Sequence, residues 1–395
     1  MRHTYSFEHD AYLQELVTEV VEAGFEGDRP FAALADTILY PEGGGQPADL
    51  GSIGEIAVVD VQRRDATIRH YLERPVESGP VIVRLDWRRR FDHMQQHTGQ
   101  HLVTAVAHDR FGWPTTAFHL GERVSDIELD VPAMAPLQIE MLEEAVAEEI
   151  RAGRPVSTRR VSPEDLGALN VRTRGLPPGH HGEVRLVEIA GVDLNTCGGT
   201  HVRSTAEIEA IKFLGTEAIR GGTRLFYVAG GRVRHRLAAH EARAARLRSL
   251  LGTPDEEIAS AVESRLELAR AGEKRVRALE EELATVLAAA LAARPERVVS
   301  VHLEGKDAGF LQRVAKRLTR SDKAAFLTAS VGEQGFFVLV AGQGVALDVQ
   351  AAGRDMAEVM GSRGGGSGRT FQGKVASFVA REAALARLQA LVNGT

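Results

Sequence analysis

The chain has 395 residues, 44% of them hydrophobic, and a net charge of −6, which excludes a disordered chain and leaves material for more than one buried core. It carries one cysteine, so no intrachain disulfide can form, and that fits a reducing compartment. The N-terminal segment has no apolar signal core, and no uninterrupted apolar stretch nears the length of a membrane span; neither secretion nor a membrane partner is indicated, and a cytoplasmic location is expected.

In chain order, short apolar runs at 56–61, 67–72 and 81–85 alternate with turn residues and predict a small β-barrel domain over 1–90. Inside it, Tyr40-Pro41-Glu42-Gly43-Gly44-Gly45-Gln46-Pro47 reads either as a flexible hairpin or as backbone brought against a ligand. Over 91–111, Met94, Leu102, Val103 and Val106 share one helical face while Gln95, Gln96 and Asp109 do not, which predicts a helix. Strands are expected at 183–189 and, after Gly221-Gly222, at 224–229, so 91–231 reads as an α+β domain. From 232 to 294, alanine, leucine, arginine and glutamate dominate, a helical composition.

A break falls at Gly252-Thr253-Pro254-Asp255-Glu256, where Thr253 can cap, Pro254 suits the first helical position and Glu256 completes a capping box. Ile258, Val262, Leu266, Ala269, Val276, Leu279, Leu283 and Val286 follow at helical spacing and predict an antiparallel helical hairpin. Beyond Pro295, strands at 298–303, 324–331 and 336–340 and helices at 311–318 and 355–360 predict a terminal α/β domain. The fold class is therefore α+β multidomain: an N-terminal β-barrel, an α+β metal-binding domain, a helical hairpin over 232–294 and an α/β domain over 295–395.

Basic residues cluster despite the negative total. Arg232, Arg234, Arg236, Arg243, Arg246 and Arg248, and the group between Lys306 and Lys323, suit solvated helix faces as well as RNA contact. The glycine-rich stretch 361–369 is different. Arg363, Gly364, Gly365, Gly366 and Arg369, with Lys374 nearby, put cations beside bare backbone N–H groups, which predicts a loop that contacts phosphate.

Two strings carry the chemistry. His97-Thr98-Gly99-Gln100-His101 puts two imidazoles on one helix face, and Cys197-Gly198-Gly199-Thr200-His201 puts the single thiol and a further imidazole on a tight loop. Zinc takes four such sulfur and nitrogen donors, so His97, His101, Cys197 and His201 are assigned as ligands of one Zn2+. A zincin would need glutamate beside the first histidine, where this chain has Thr98.

The segments 94–103 (MQQHTGQHLV) and 192–202 (VDLNTCGGTHV) closely resemble the paired zinc motifs of alanyl-tRNA synthetase editing domains, and the standalone editing proteins of the AlaX family most of all. Gly43 to Pro47 resembles the glycine-rich motif of their longer members, Ile219 to Arg224 the stretch that follows their cysteine motif, and the C-terminal region the synthetase domain called DHHA1. Gln100 stands where synthetase relatives often have threonine, and Ser362 interrupts a glycine pair. No room remains for an aminoacylation domain, so action in trans on charged tRNA(Ala) is expected.

The resemblance implies hydrolysis of the ester between a wrong amino acid, serine or glycine, and the tRNA 3′ end. It makes Gly43, Gly44, Gly45, Gln46, Gln100 and Thr116 candidates for substrate contact, with the triple glycine beside Gln46 as a wall against alanine. Glu42, His119 and Asp193 are candidate bases or orienting groups. Zinc could hold substrate, polarise the carbonyl or activate water, although four protein ligands ordinarily close a site that catalysis needs open. Arg363, Gly364 to Gly366, Arg369 and Lys374 are the candidate tRNA contacts, and the C-terminal region is also a candidate for homodimerisation. The rival readings are an RNA-binding protein with structural zinc and a zinc hydrolase of small esters.

Overall fold

A computed structural model of the chain describes residues 4–64, 67–173 and 182–394, which divide into two compact units, Met1–Arg246 and Leu247–Thr395. In the first unit, helix α1 (Ser6–His9) precedes strands β1 (Glu15–Glu26), β2 (Arg29–Leu34), β3 (Gly51–Ile53), β4 (Ile56–Arg64), β5 (Thr67–Leu72) and β6 (Gly79–Leu85). These close into a barrel in the order β1-β2-β5-β4-β3-β6, which leaves no open sheet edge. Alternating residues such as Ile56, Val58 and Val61 point inward and fill it, together with Val20, Ile53 and Val83.

The chain continues through α2 (Trp87–Phe111), β7 (Thr115–His119), β8 (Ser125–Leu129), α3 (Pro136–Arg151), β9 (Val156–Val161), α4 (Pro163–Leu166), β10 (Val184–Ile189), β11 (Asp193–Thr196), β12 (Ile211–Ile219) and β13 (Gly222–Ala229) to α5 (Gly231–Leu251), within which the two units divide. Two antiparallel sheets result, β12-β13-β8-β7 and β11-β10-β9. A second core, with Met94, Leu102 and Val106 of α2 against Leu142, Leu225 and Tyr227, holds them together.

The barrel and the α+β region, expected at 1–90 and 91–231, lie within the same compact unit. Trp87 packs against both cores. Arg90, fully buried, donates to Asp49, to the Ala11 carbonyl at 2.8 Å and to the Ile38 carbonyl at 2.6 Å. Asp49 in turn accepts from the Tyr40 amide at 2.7 Å. A buried guanidinium is tolerable only with its donors satisfied, so this arrangement fixes α2 against the barrel.

In the second unit, α6 (Ile258–Ala292), β14 (Val298–Glu304), α7 (Ala308–Leu318), β15 (Ala324–Val331), β16 (Gln334–Ala341), α8 (Val349–Val359), β17 (Arg363–Ser367), β18 (Thr370–Val375) and α9 (Arg381–Asn393) follow. The sheet order is β14-β15-β16-β18-β17, with β14 and β15 parallel across α7, in keeping with the expected α/β character. Ala284, Ala288 and Leu291 of α6 pack with Phe310, Leu311 and Val314 of α7.

Two expectations for this region need correction. The capping box does not form: Thr253 Oγ1 donates instead to Glu257 Oε2 at 3.0 Å, Asp255–Glu257 is a short 3₁₀ turn, and the α-helix starts at Ile258. On α6, Val262, Leu266, Val276, Leu279, Leu283 and Val286 are exposed. The glycine-rich stretch is not a loop. Arg363–Ser367 is the edge strand β17, hairpinned to β18, and its glycines admit the neighbouring strand and Phe371 at close range. Among the described residues, no helix is long and apolar enough to cross a membrane.

Removing Asp49 would leave Arg90 charged and unpaired inside the first unit. Asp49→Ala is expected to lower stability by about 3–5 kcal/mol, read from urea denaturation.

Candidate metal centre

Helix α2 carries the first pair of ligands. Asp86 caps it by accepting from the Arg89 amide at 3.1 Å, and Gly112, left-handed at φ 68°, ends it. His97 and His101 lie one turn apart on the same face and are buried. Their rotation about the helix axis is fixed by Gln96, whose side chain donates to the Ala229 carbonyl and accepts from the Ala229 amide, both at 2.9 Å. Tyr227 secures the same turn through a 2.8 Å bond to the Gln96 carbonyl.

The second pair sits on the loop that follows the β10–β11 hairpin. The Cys197 amide donates to the Arg185 carbonyl at 3.2 Å, and Arg185 Nη1 donates back to the carbonyls of Cys197 at 2.9 Å and Gly199 at 2.8 Å. A Cβ on Gly199 would stand 2.3 Å from His97 Cε1 and 2.8 Å from Gln46 Oε1, so no side chain fits there.

One donor atom from each of His97, His101, Cys197 and His201 lies within 4.8 Å of the others. Cys197 Sγ is 3.4 Å from His97 Nε2 and 3.3 Å from His201 Nε2. Tetrahedral zinc bonds of about 2.0–2.3 Å set neighbouring donors roughly 3.3–3.7 Å apart, so the residues present fit such an ion.

Every imidazole is also held through its other nitrogen. His97 Nδ1 meets Gln46 Oε1 at 2.8 Å, His101 Nδ1 meets Asp193 Oδ2 at 3.1 Å, and His201 Nδ1 meets Thr98 Oγ1 at 3.2 Å. These are the outer contacts that orient metal-binding histidines and leave Nε2 for the ion. Burial alone would raise the Cys197 thiol, but the His97 and His201 imidazoles pull it well below its ordinary value. Burial likewise opposes charge on His101, yet Asp193 and Cys197 push it up to about 9, while burial pushes His201 down to about 3. The cluster is built to hold positive charge against a thiolate, the role a divalent cation takes over on binding.

A family model described as threonyl and alanyl tRNA synthetase second additional domain matches residues 184–227, which include the cysteine loop. The alanyl-tRNA editing protein Aarsd1 of Mus musculus is 38% identical, the match covering 98% of this chain and 97% of that protein. Aarsd1-B of Xenopus laevis is 35% identical over the same shares. The chain belongs to the AlaX family of alanyl-tRNA editing proteins. As an alanyl-tRNA editing enzyme it is an aminoacyl-tRNA deacylase, a hydrolase. The alanine–tRNA ligase of Ignicoccus hospitalis is 31% identical over 92% of this chain and 40% of the ligase. A crystal structure of the C-Ala domain from Aquifex aeolicus alanyl-tRNA synthetase aligns with 25% of this chain and 91% of its own at 19% identity and a TM-score of 0.23.

The remaining candidates of the editing enzyme fall in different places. Gly43 and Gln46 close a two-residue turn through Gly44 and Gly45, both left-handed, and Gly45 lies where a Cβ would meet Phe118 Cε2 at 2.8 Å. Gln46 is fully buried; its Oε1 also accepts from the Thr200 amide at 3.0 Å, and its Nε2 donates to Thr200 Oγ1 at 2.9 Å. It ties His97 to the cysteine loop. Asp193 is likewise an orienting group, shared between His101 and Arg172 Nε at 2.9 Å. Glu42 is exposed and accepts from Gln62 at 2.8 Å, and His119 is exposed and paired with Asp126 at 2.9 Å. Neither belongs to the ligand cluster.

Gln100 fares better: it is 3% exposed, Nε2 donates to Thr104 Oγ1 at 2.8 Å, and Oε1 has no partner. Thr116 is exposed and donates to the Glu128 carbonyl at 3.3 Å, whereas its neighbour Thr115 reaches Thr104 Oγ1 at 3.2 Å. Of these two adjacent threonines on β7, where residues alternate sides and the register shifts between Thr115 and Ala117, the one named from the sequence is the more exposed. Thr98, Thr200, Arg172 and Arg185 were missed; the first two lie inside the motifs themselves.

Because Gln46 anchors His97 and the cysteine loop together, Gln46→Ala is expected to weaken zinc binding about 10–100-fold in a chelator competition, with far-UV circular dichroism unchanged.

Proposed function

We propose that this enzyme hydrolyses the ester of mischarged tRNA(Ala), with serine as the principal wrong amino acid and glycine as the second, using a zinc ion held by His97, His101, Cys197 and His201. The convergence of those four donors, in a chain of this family, carries the reading. A bound zinc would supply Lewis acidity and lower the pKa of a coordinated water to about 7.

The chain's own residues account for orientation and selectivity. Gln46, Asp193 and Thr98 hold the imidazoles so that each presents Nε2. Gln100, between the two helix ligands, offers a buried acceptor without a donor. A seryl hydroxyl provides that donor and an alanyl methyl does not; a site built around such a bond rejects the analogue lacking it by about 10⁴–10⁵. Glycine lacks the hydroxyl, so its preference over alanine rests on shape. Phe118, in close contact with Gly45, is the wall available, and one methyl group in a pocket is worth only about 10–200-fold.

Contact with the tRNA body falls to the second unit. Arg363 and Lys374 are exposed and face each other in register on β17 and β18, beside the glycine backbone of the edge strand, an arrangement suited to phosphate. Arg369 is committed elsewhere, to the Gly342 carbonyl at 2.8 Å. A purely structural zinc is the second reading, favoured by a full set of four protein donors.

Deacylation of Ser-tRNA(Ala), Gly-tRNA(Ala) and Ala-tRNA(Ala) tests the assignment, with a free seryl ester as comparison. Wild type is expected to prefer the seryl substrate, and Cys197→Ala to lose more than 100-fold; equal rates for wild type and variant would sink the proposal. Gln100→Met should narrow the serine-over-alanine preference at least tenfold while zinc stays bound. Combining Arg363→Glu with Lys374→Glu should weaken tRNA affinity and reduce its salt slope by about 2.

A further inference from the structure

The same face of α2 that bears His97 carries another histidine one turn earlier. His93 is 3% exposed, its Nδ1 has no hydrogen-bond partner, and burial together with Arg89 lowers it to about 4, so its ring is neutral near pH 7. A buried neutral imidazole offers one donor and one acceptor, and an unmade bond there is expensive. The ring lies in the wall of a cleft of about 620 Å³, within the size range of small-ligand sites.

The cleft is formed by the first turns of α2 and the start of α5. Trp87 and Phe91 give it an aromatic side, their ring centroids 5.5 Å apart, and Tyr12 supports Trp87 from behind at 5.3 Å. Its deeper charges cancel, since Arg232 chelates Asp92 through bonds of 2.7–3.1 Å. At the rim, Arg88, Arg234 and His235 are exposed beside Asp86 and Glu122, Arg234 also pairing with Glu209, so the cationic side chains outnumber the carboxylates. The floor therefore suits a flat, uncharged, hydrogen-bonding group and the mouth suits a negative one, which together describe a nucleotide.

We propose that this cleft receives an unstacked nucleotide of the single-stranded 3′ end of tRNA, the base against Trp87 and hydrogen-bonded to His93, and its phosphate at Arg88 and His235. His93 and His97 are separated by one helical turn, a rise of about 6 Å, so a strand seated here runs past the metal centre along α2. The inference rests on the tRNA-ester reading above and adds a second point of contact that holds the strand in register with the ligands.

The chain has two tryptophans, so Trp113→Phe leaves Trp87 as the only indole emitter. In that background, the tetranucleotide ACCA is expected to quench the emission saturably, AMP to bind at least tenfold more weakly, and both His93→Leu and Arg88→Glu to raise the ACCA dissociation constant about tenfold with zinc content unchanged. Arg88→Glu is an exposed change that keeps the test open should His93→Leu disturb the fold. No quenching, AMP binding as tight as ACCA, or indifference to both substitutions would overturn the proposal. Deacylation of Ser-tRNA(Ala) without quenching sinks the cleft alone, whereas quenching without deacylation of any aminoacyl-tRNA supports the cleft and sinks the reaction.

Discussion

A histidine can bind a metal in a defined direction only when its other nitrogen is already held, and this structure meets that requirement three times over with residues from separate segments. Gln46 comes from the barrel turn, Asp193 from β11 and Thr98 from within α2. The site therefore forms only when barrel, helix and hairpin are all in place. Arg90 and Asp49, which join α2 to the barrel, thus bear on the metal centre without touching it. Gly199 expresses the same constraint, because the cysteine loop passes so close to His97 that even a methyl group would collide.

Much of this was legible in the sequence wherever the signal was local. The HxxxH and CxxxH spacings picked out four residues that the fold brings together, short apolar runs between turns marked β4, β5 and β6 of the barrel, and the βα pattern marked β14 to β16 with α7 and α8. What was lost was non-local. The glycine motif at Gly43 to Gln46 was recognised, but that the Gln46 amide terminates on His97 and Thr200 depends on a contact across the fold. That Thr115, and not Thr116, reaches Thr104 depends on a register shift in β7 that residue type does not show. The arginine-bearing glycines read as a loop because glycine resists strand formation; here they form an edge strand whose partner leaves little room for side chains.

Helix α2 emerges as the axis of the enzyme. Its first turn contributes the half-buried Trp87 and the exposed Arg88, its centre bears His93, His97, Gln100 and His101, and Thr104 continues the same stripe. Such an arrangement puts His93, the candidate metal ligands His97 and His101 and the buried acceptor of Gln100 on one rigid element, where their separations are set by helical geometry rather than by loop conformation. The four-donor centre becomes intelligible in that setting as a part prepared in advance, each donor fixed before substrate arrives.

Whether that centre serves the reaction or merely braces the fold is decided by one experiment. Zinc is stripped with a chelator, and the same sample is followed by far-UV circular dichroism and by Ser-tRNA(Ala) deacylation before and after one equivalent of zinc is returned. Since α2 and both sheets are anchored by a hydrophobic core of their own, the metal-free chain should keep its secondary structure, lose deacylation and recover it with the metal. A stripped chain that unfolds, or one that deacylates at an undiminished rate, would contradict the account.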